Sequence, residues 1–275
     1  MGSLDVDSIP TKKASELSHS RSYVFYGQSG TGKTTLAGTF PGPILLCDVR
    51  DRGTDSIIGI DDVDVTEIET WEDLERVYWF LKKHPKKYKT VIIDTMSQLQ
   101  QVVVEDVLAE QGKDAEDATG WGMMTQKEWG KVASRIKPMI INLRDLPMDV
   151  VFIAQHRVFN LPSEEEIENN VALLAPEVGP ALMPSVGKFL NAAVSIIGNT
   201  YIRERVEEVK RMVKNKNPKL KPKEVIDEVR HIEYCLRVGP NPTYITKVRK
   251  GKEILLPDVI VDPTYDKIMK ILRGK

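Results

Sequence analysis

Residues 22–34 read Ser22-Tyr23-Val24-Phe25-Tyr26-Gly27-Gln28-Ser29-Gly30-Thr31-Gly32-Lys33-Thr34, and the chain continues from Thr34 as TTLAGTF. The run SYVFYG is aromatic and β-branched, which suits a buried strand, and TTLAGTF suits a helix. Between them Gly27 to Thr34 match GxxxxGK[ST] in full, in the strand-then-helix context that this pattern requires. Glycines let the backbone curl until successive N–H groups face one phosphate, and the helix that starts there adds its positive end. The expected phosphate cradle is therefore Gly27, Gln28, Ser29, Gly30, Thr31, Gly32, Lys33, Thr34 and Thr35. Lys33 would reach the β- and γ-phosphates, and Thr34 would give its hydroxyl to Mg²⁺.

The same alternation continues outward. Apolar PILLCD at 43–48, amphipathic WEDLERVYWFLKK at 71–83, apolar TVIIDT at 90–95, helical spacing from Met96 to Glu110, a helix from Glu128 to Arg144 broken or kinked at Pro138, and DVVFIAQ at 149–155 follow in order. Strands alternating with helices predict an α/β fold with a mostly parallel sheet covered on both faces. After Gln155 a long proline-punctuated loop is expected, then a strand over 192–202. An exposed charged helix is expected over about 203–213, then an edge hairpin of IEYCLRVG and TYITKVR, and a short terminal helix around 267–272. Residues 1–20 read as a polar tail and 21–275 as one domain.

A phosphate loop that binds magnesium needs a carboxylate beside it, and VIID at 91–94 ends a buried strand in Asp94. Thr34 and Asp94 are thus the expected metal pair. Asp94 is followed by Thr95, not by the Glu that many AAA+ enzymes place there, so the water-positioning carboxylate must come from elsewhere.

The chain carries 39 Lys+Arg against 40 Asp+Glu, and 41% of its residues are hydrophobic. No apolar run approaches the ~20 residues that span a bilayer, so no membrane partner is expected. Two cysteines, one of them inside the ILLCD run, point to a reducing cytoplasm, the host's if the chain is phage-encoded. The near-neutral total conceals an asymmetry: residues 1–170 hold 19 basic and 28 acidic side chains, and residues 171–275 hold 20 and 12. Asp61 to Glu75 contains eight carboxylates without a cation, whereas Lys210 to Lys223 contains seven cations without an acid.

With these motifs the sequence resembles the RecA-like core ATPases, in particular the compact phage nucleotide-binding or single-strand annealing ATPases, over roughly residues 20–265. The resemblance implies a RecA-like P-loop NTPase fold, ATP and Mg²⁺ as ligands, and a homo-oligomer with ATP sites between subunits. It also implies single-stranded DNA as a partner, together with a single-strand-binding or recombination protein. In that superfamily the catalytic Glu follows the strand between the two motifs. Here that turn reads Asp48-Val49-Arg50-Asp51-Arg52-Gly53-Thr54, Asp51 is the positional match, one residue is inserted before it, and Asp48 is the reserve. Gln155 matches the polar sensor of the γ-phosphate, with His156 as a substitute. Lys247 and Arg249 resemble the Lys-x-Arg pair that hexameric relatives insert into a neighbour's site, and strand alternation puts both on one face.

Loops at 111–125 and 156–178 fall where such proteins hold DNA, with Trp121 and Phe159 as stacking rings. Both loops are acidic, so the cationic contacts would fall to Lys210–Lys223 and Lys250–Lys252. A GTPase is disfavoured, because Asn215-Lys216-Asn217-Pro218 lacks the acid of NKxD. Two alternatives stay open: a nucleotide-gated module with negligible turnover, and a nucleotide kinase with Arg50 and Arg52 as clamps.

Overall fold

In the computed structural model, which describes residues 20–51, 53–112, 124–160, 175–213, 223–251 and 253–274, β1 (Ser22–Gly27) is buried along its whole length. It lies parallel to β5 (Asp149–Phe159) on one side and to β7 (Ile196–Val213) on the other. Beyond β5 come β4 (Thr90–Asp94), β2 (Ile44–Asp48) and β3 (Val63–Glu67), all parallel. Beyond β7 come β8 (Lys223–Arg237) and β10 (Val259–Val261), both antiparallel. The order across the sheet is β10-β8-β7-β1-β5-β4-β2-β3, while β6 (Glu177–Pro180) pairs with β5 and β9 (Lys247–Val248) with β7. This is the mostly parallel α/β sheet that the strand–helix alternation predicts.

The period of two along each strand divides the core between two layers. Val24, Tyr26, Leu45, Cys47, Val91, Ile93, Val150 and Phe152 face one side. There they pack on α2 (Trp71–Lys83), α3 (Met96–Ala109), α4 (Gln126–Arg144) and α5 (Pro184–Ala193). Tyr23, Phe25, Ile44, Leu46, Ile92, Val151 and Ile153 face the other side, with α1 (Lys33–Ala37) and α6 (Tyr265–Leu272). Each such side chain contributes about 1.5–3 kcal/mol when fully buried, so strands with helices on both faces need the continuous apolar runs seen here. Helix starts are fixed by capping: Thr70 with Asp73 and Thr125 with Glu128 form capping boxes. Thr95, directly after Asp94, accepts from Gln98 N–H and starts α3 at once.

Several expectations change. Residues 203–213 are not a helix but the outer half of β7, paired residue for residue with β8 from Asn199↔Arg237 to Val213↔Lys223. The hairpin therefore joins β7 to β8, and TYITKVR instead lies beside the start of β7, with Ile196↔Val248 and Ile197↔Lys247 opposed. β3 occupies part of the acidic Asp61–Glu75 stretch read as a connection, and β6 and α5 lie where only a long loop was expected. α4 is one helix through Pro138. Both cysteines are free and buried. Among the described residues no helix is long and apolar enough to cross a membrane.

Candidate active site

β1 delivers the chain to Gly27 between two strand ends, with Gln155 opposite it on β5 and Thr200 opposite it on β7. A Cβ on Gly27 would lie 2.3 Å from both the carbonyl oxygen and Oγ1 of Thr200, so only glycine fits. Gly30 and Gly32 have φ of +77° and +80°, the left-handed turns that curl the loop. Thr31 stitches the loop to the sheet: its hydroxyl donates to Gln28 O at 2.8 Å and lies 2.7 Å from the Thr200 hydroxyl. Because α1 has only five residues, the phosphate site rests on the loop N–H groups and Lys33 more than on a long helix dipole.

Lys33 is buried, and its ammonium donates to Gln28 O at 2.6 Å and Gly27 O at 3.2 Å. Burial lowers its pKa, opposed by Asp94 and Asp51. The Thr34 hydroxyl donates to Asp94 Oδ2 at 2.7 Å. Asp94 is pushed up to about 6, chiefly by burial, with further repulsion from Asp51 and Asp48; the Thr34 hydrogen bond and the Lys33 charge oppose the rise. A hydroxyl and a carboxylate in contact are hard oxygen donors suited to Mg²⁺, which takes few protein ligands and completes its shell with phosphate oxygens and water. Among the described residues no cluster of three or more His, Cys, Asp or Glu competes for a metal.

These residues share a cleft of ≈ 840 Å³ lined by Ser29 to Leu36, Thr39, Asp51, Asp55, Ser56, Asp94 and Gln155, and closed at its far end by Tyr234 and the turn Asp262-Pro263-Thr264. The volume is ample for a nucleotide. Gln155 reaches the cleft because its backbone N–H donates to Ser97 Oγ and its carbonyl accepts from Ala181 N–H. Asp51 reaches it from the turn after β2, where its N–H donates to Asp48 Oδ1 at 3.0 Å; the buried Asp48 thus shapes the turn that presents Asp51. Among the described lining residues Lys33 is the single cation, against four aspartates.

A family model described as AAA domain matches residues 19–247. The chain belongs to that AAA domain family. A comparison with curated proteins gives no match. Among solved structures the chain is similar to the KaiC-like protein PH0186 of the hyperthermophilic archaeon Pyrococcus horikoshii OT3, at 11% identity and a TM-score of 0.42, over 89% of this chain and 90% of that one. The AAA domain assignment and the complete phosphate loop on a parallel sheet make this a P-loop NTPase fold of ATPase type.

Other expected residues are not at the cleft of this AAA domain. Lys247 donates to the carbonyls of Asn191 and Ala192 at 2.7 and 2.9 Å, and Arg249 to Ala192 O at 2.9 Å, so both cap the C-terminal end of α5. They sit at the opposite end of the sheet from Gly27, where Arg249 N–H bonds Ser195 O and Ser195 N–H bonds Ser22 O. Arg50 turns away to Glu69 and Glu105, which removes one of the two kinase clamps; Arg52 lies outside the described residues. So do Trp121, Lys252 and residues 214–222 of the basic stretch. His156 is opposite Pro180 in the β5–β6 pairing, and Phe159 carries the Arg157 guanidinium 5.6 Å from its ring centre. Sequence reasoning missed Thr200, Ser97, Tyr234 and Asp262–Thr264. A Thr that opens α6 after a strand was the one local signal for the last of these.

Proposed function

We propose that this protein binds ATP with Mg²⁺, hydrolyses it to ADP and phosphate, and uses that turnover on single-stranded DNA in phage recombination or strand annealing. The observation that carries the nucleotide reading is the 2.7 Å contact between Thr34 and Asp94 in the cleft that also holds Lys33 and Gln155. Thr34 and Asp94 would hold the metal, which when bound neutralises phosphate charge and polarises the phosphoryl oxygens. The loop N–H groups orient the triphosphate, Lys33 exchanges its carbonyl partners for phosphate oxygens, and Gln155 monitors the terminal phosphate. Asp51 orients the attacking water.

A cleft with one cation and four aspartates is short of positive charge for the transition state. That shortage supports a homo-oligomer in which Lys247 and Arg249 of a neighbouring protomer complete the site. The DNA role rests on the resemblance to phage annealing ATPases, with Arg157, Phe159 and the Lys210–Lys223 stretch as contacts. A single-strand-binding or recombination protein is the expected partner, in the cytoplasm. The absence of a glutamate among the described cleft residues favours one second reading, a nucleotide-gated assembly module with negligible turnover.

Phosphate release measured with and without single-stranded DNA separates the two. The ATPase reading expects release that DNA accelerates and Lys33→Ala abolishes. Release no faster than Lys33→Ala under both conditions leaves the gated module.

A further inference from the structure

The order of strands gives the cleft a direction. Gln155 on β5 and Asp94 on β4, joined by Asp51 after β2, all lie on one side of β1, whereas β7, β8 and β10 lie on the other. A triphosphate whose terminal phosphate meets Asp94 and Gln155 must therefore lead away across Gly32 and Thr35 toward β8 and β10. The cleft continues in that direction and ends at Tyr234, Asp262, Pro263 and Thr264.

We propose that Tyr234 and the turn Asp262-Pro263-Thr264 form the subsite for a purine base, with adenine read through its amino group. This rests on the triphosphate reading of the Gly27–Thr34 loop. The Tyr234 ring is 44% exposed although the next two residues, Cys235 and Leu236, are fully buried. Its edge leans on the phosphate loop: a Cβ on Gly32 would be 3.2 Å from Cδ1 of the ring. An aromatic ring held at the loop, partly open to the cleft, is a stacking platform.

The opposing wall is tied down on three sides. Asp262 N–H donates to Tyr234 O at 2.7 Å, Tyr265 N–H donates to Thr39 Oγ1 at 2.9 Å, and the Lys267 ammonium bonds the carbonyls of Val261 and Asp262. Thr264 accepts from Lys267 N–H as the cap of α6. The turn is thereby anchored to the platform strand and to the end of the phosphate-loop helix. An aromatic face and a proline opposite a carboxylate suit a flat heterocycle whose edge donates hydrogen bonds. Adenine offers its amino group to Asp262, whereas uracil offers a smaller face and no amino group. The simpler role for Tyr234, a cover over Gly32 that touches no ligand, makes a different prediction.

Competition binding against a fluorescent ATP analogue, with ATP, UTP, purine riboside triphosphate and inorganic tripolyphosphate in the presence of Mg²⁺, decides between them. Tyr234→Leu is expected to weaken ATP about tenfold or more, from the loss of base stacking, and to narrow the ATP-to-UTP ratio. Tripolyphosphate affinity stays unchanged in the same variant, which also reports that the loop is folded, and Tyr234→Phe keeps the wild-type preference. Asp262→Gly, which accepts the φ of +45° at that position, abolishes the preference of ATP over purine riboside triphosphate. An unchanged ATP-to-UTP ratio in Tyr234→Leu, or equal losses for ATP and tripolyphosphate, overturns the base subsite and leaves the ring as a cover. If Lys33→Ala binds ATP and tripolyphosphate as the wild type does, the triphosphate reading falls and the subsite falls with it.

Discussion

The Thr34 hydroxyl donates a 2.7 Å hydrogen bond to Asp94 Oδ2, so the end of the phosphate loop and the end of β4 meet across 60 residues of sequence. The carboxylate at that junction is 4% exposed and titrates near 6, above the ordinary aspartate value. Its protonated form is therefore the one the fold prefers. The stabilisation is complete below about pH 4, and it is lost as pH rises through 6. At pH 7 the ionised Asp94 costs about 2–3 kcal/mol. Asp94→Asn, which retains an acceptor for Thr34, should raise the metal-free melting temperature at pH 7 and leave it unchanged near pH 4. The same variant should lose Mg²⁺-dependent nucleotide binding. Equal melting curves at pH 7 would show that burial imposes no cost there.

The same titration governs the metal. A Mg²⁺ held by Asp94 requires the ionised carboxylate, so the apparent Mg²⁺ affinity in the presence of ATP should hold between pH 8 and 7. It should then fall by about tenfold per unit well below pH 6. Titration calorimetry in buffers of different ionisation enthalpy should show proton uptake by buffer near pH 6, where the metal displaces the Asp94 proton. Asp94→Asn should remove the Asp94 share of that release, the ATP phosphates keeping their own.

Two glycines of the loop serve different needs, and their alanine variants should separate them. Gly27→Ala drives a methyl group to 2.3 Å from the Thr200 carbonyl oxygen, in a strand fixed on both sides. Gly30→Ala meets no atom within 4 Å and bears only the strain of φ +77°. Urea unfolding should show a loss of about 3 kcal/mol or more for Gly27→Ala and about 1–2 kcal/mol for Gly30→Ala. Comparable losses would mean that the β1–β7 spacing relaxes around the added methyl.

The sheet centre was legible because β1, β2, β4 and β5 are buried on both faces and carry unbroken apolar runs, and the phosphate loop is a contiguous motif. The edges were not, for a common reason: their stabilising partners are distant in sequence. β3, VDVTE, has no buried side chain, so its composition reads as a connection. The outer half of β7 is polar on both faces and is held by pairing with β8, through Arg203–Glu233, Arg211–Asp227 and Glu204–Arg230. Local periodicity cannot report ion pairs across some 30 residues, and the many charges there imitate an exposed helix. Tyr234 was hidden by the same error. Once IEYCLR was assigned to the wrong hairpin, nothing in the strand pointed its tyrosine at Gly32.

Lys247 and Arg249 give the last test, because the structure supplies them with a local role of limited worth. Both donate to neutral carbonyls at the end of α5, and burial together with repulsion from Arg249 lowers the Lys247 pKa. A cation at a helix C-terminus contributes about 0.3–1 kcal/mol. If capping were their whole purpose, Arg249→Ala would cost that much stability and nothing in turnover. Completion of a neighbour's cleft predicts a different pattern: the same small loss of stability, near-total loss of phosphate release, and unchanged nucleotide affinity at the variant's own Lys33. Mixed with Lys33→Ala protein, the variant should recover partial activity, since some interfaces then join an intact loop to an intact Arg249. Confirmed mixed oligomers with no recovered activity would confine both cations to the end of α5.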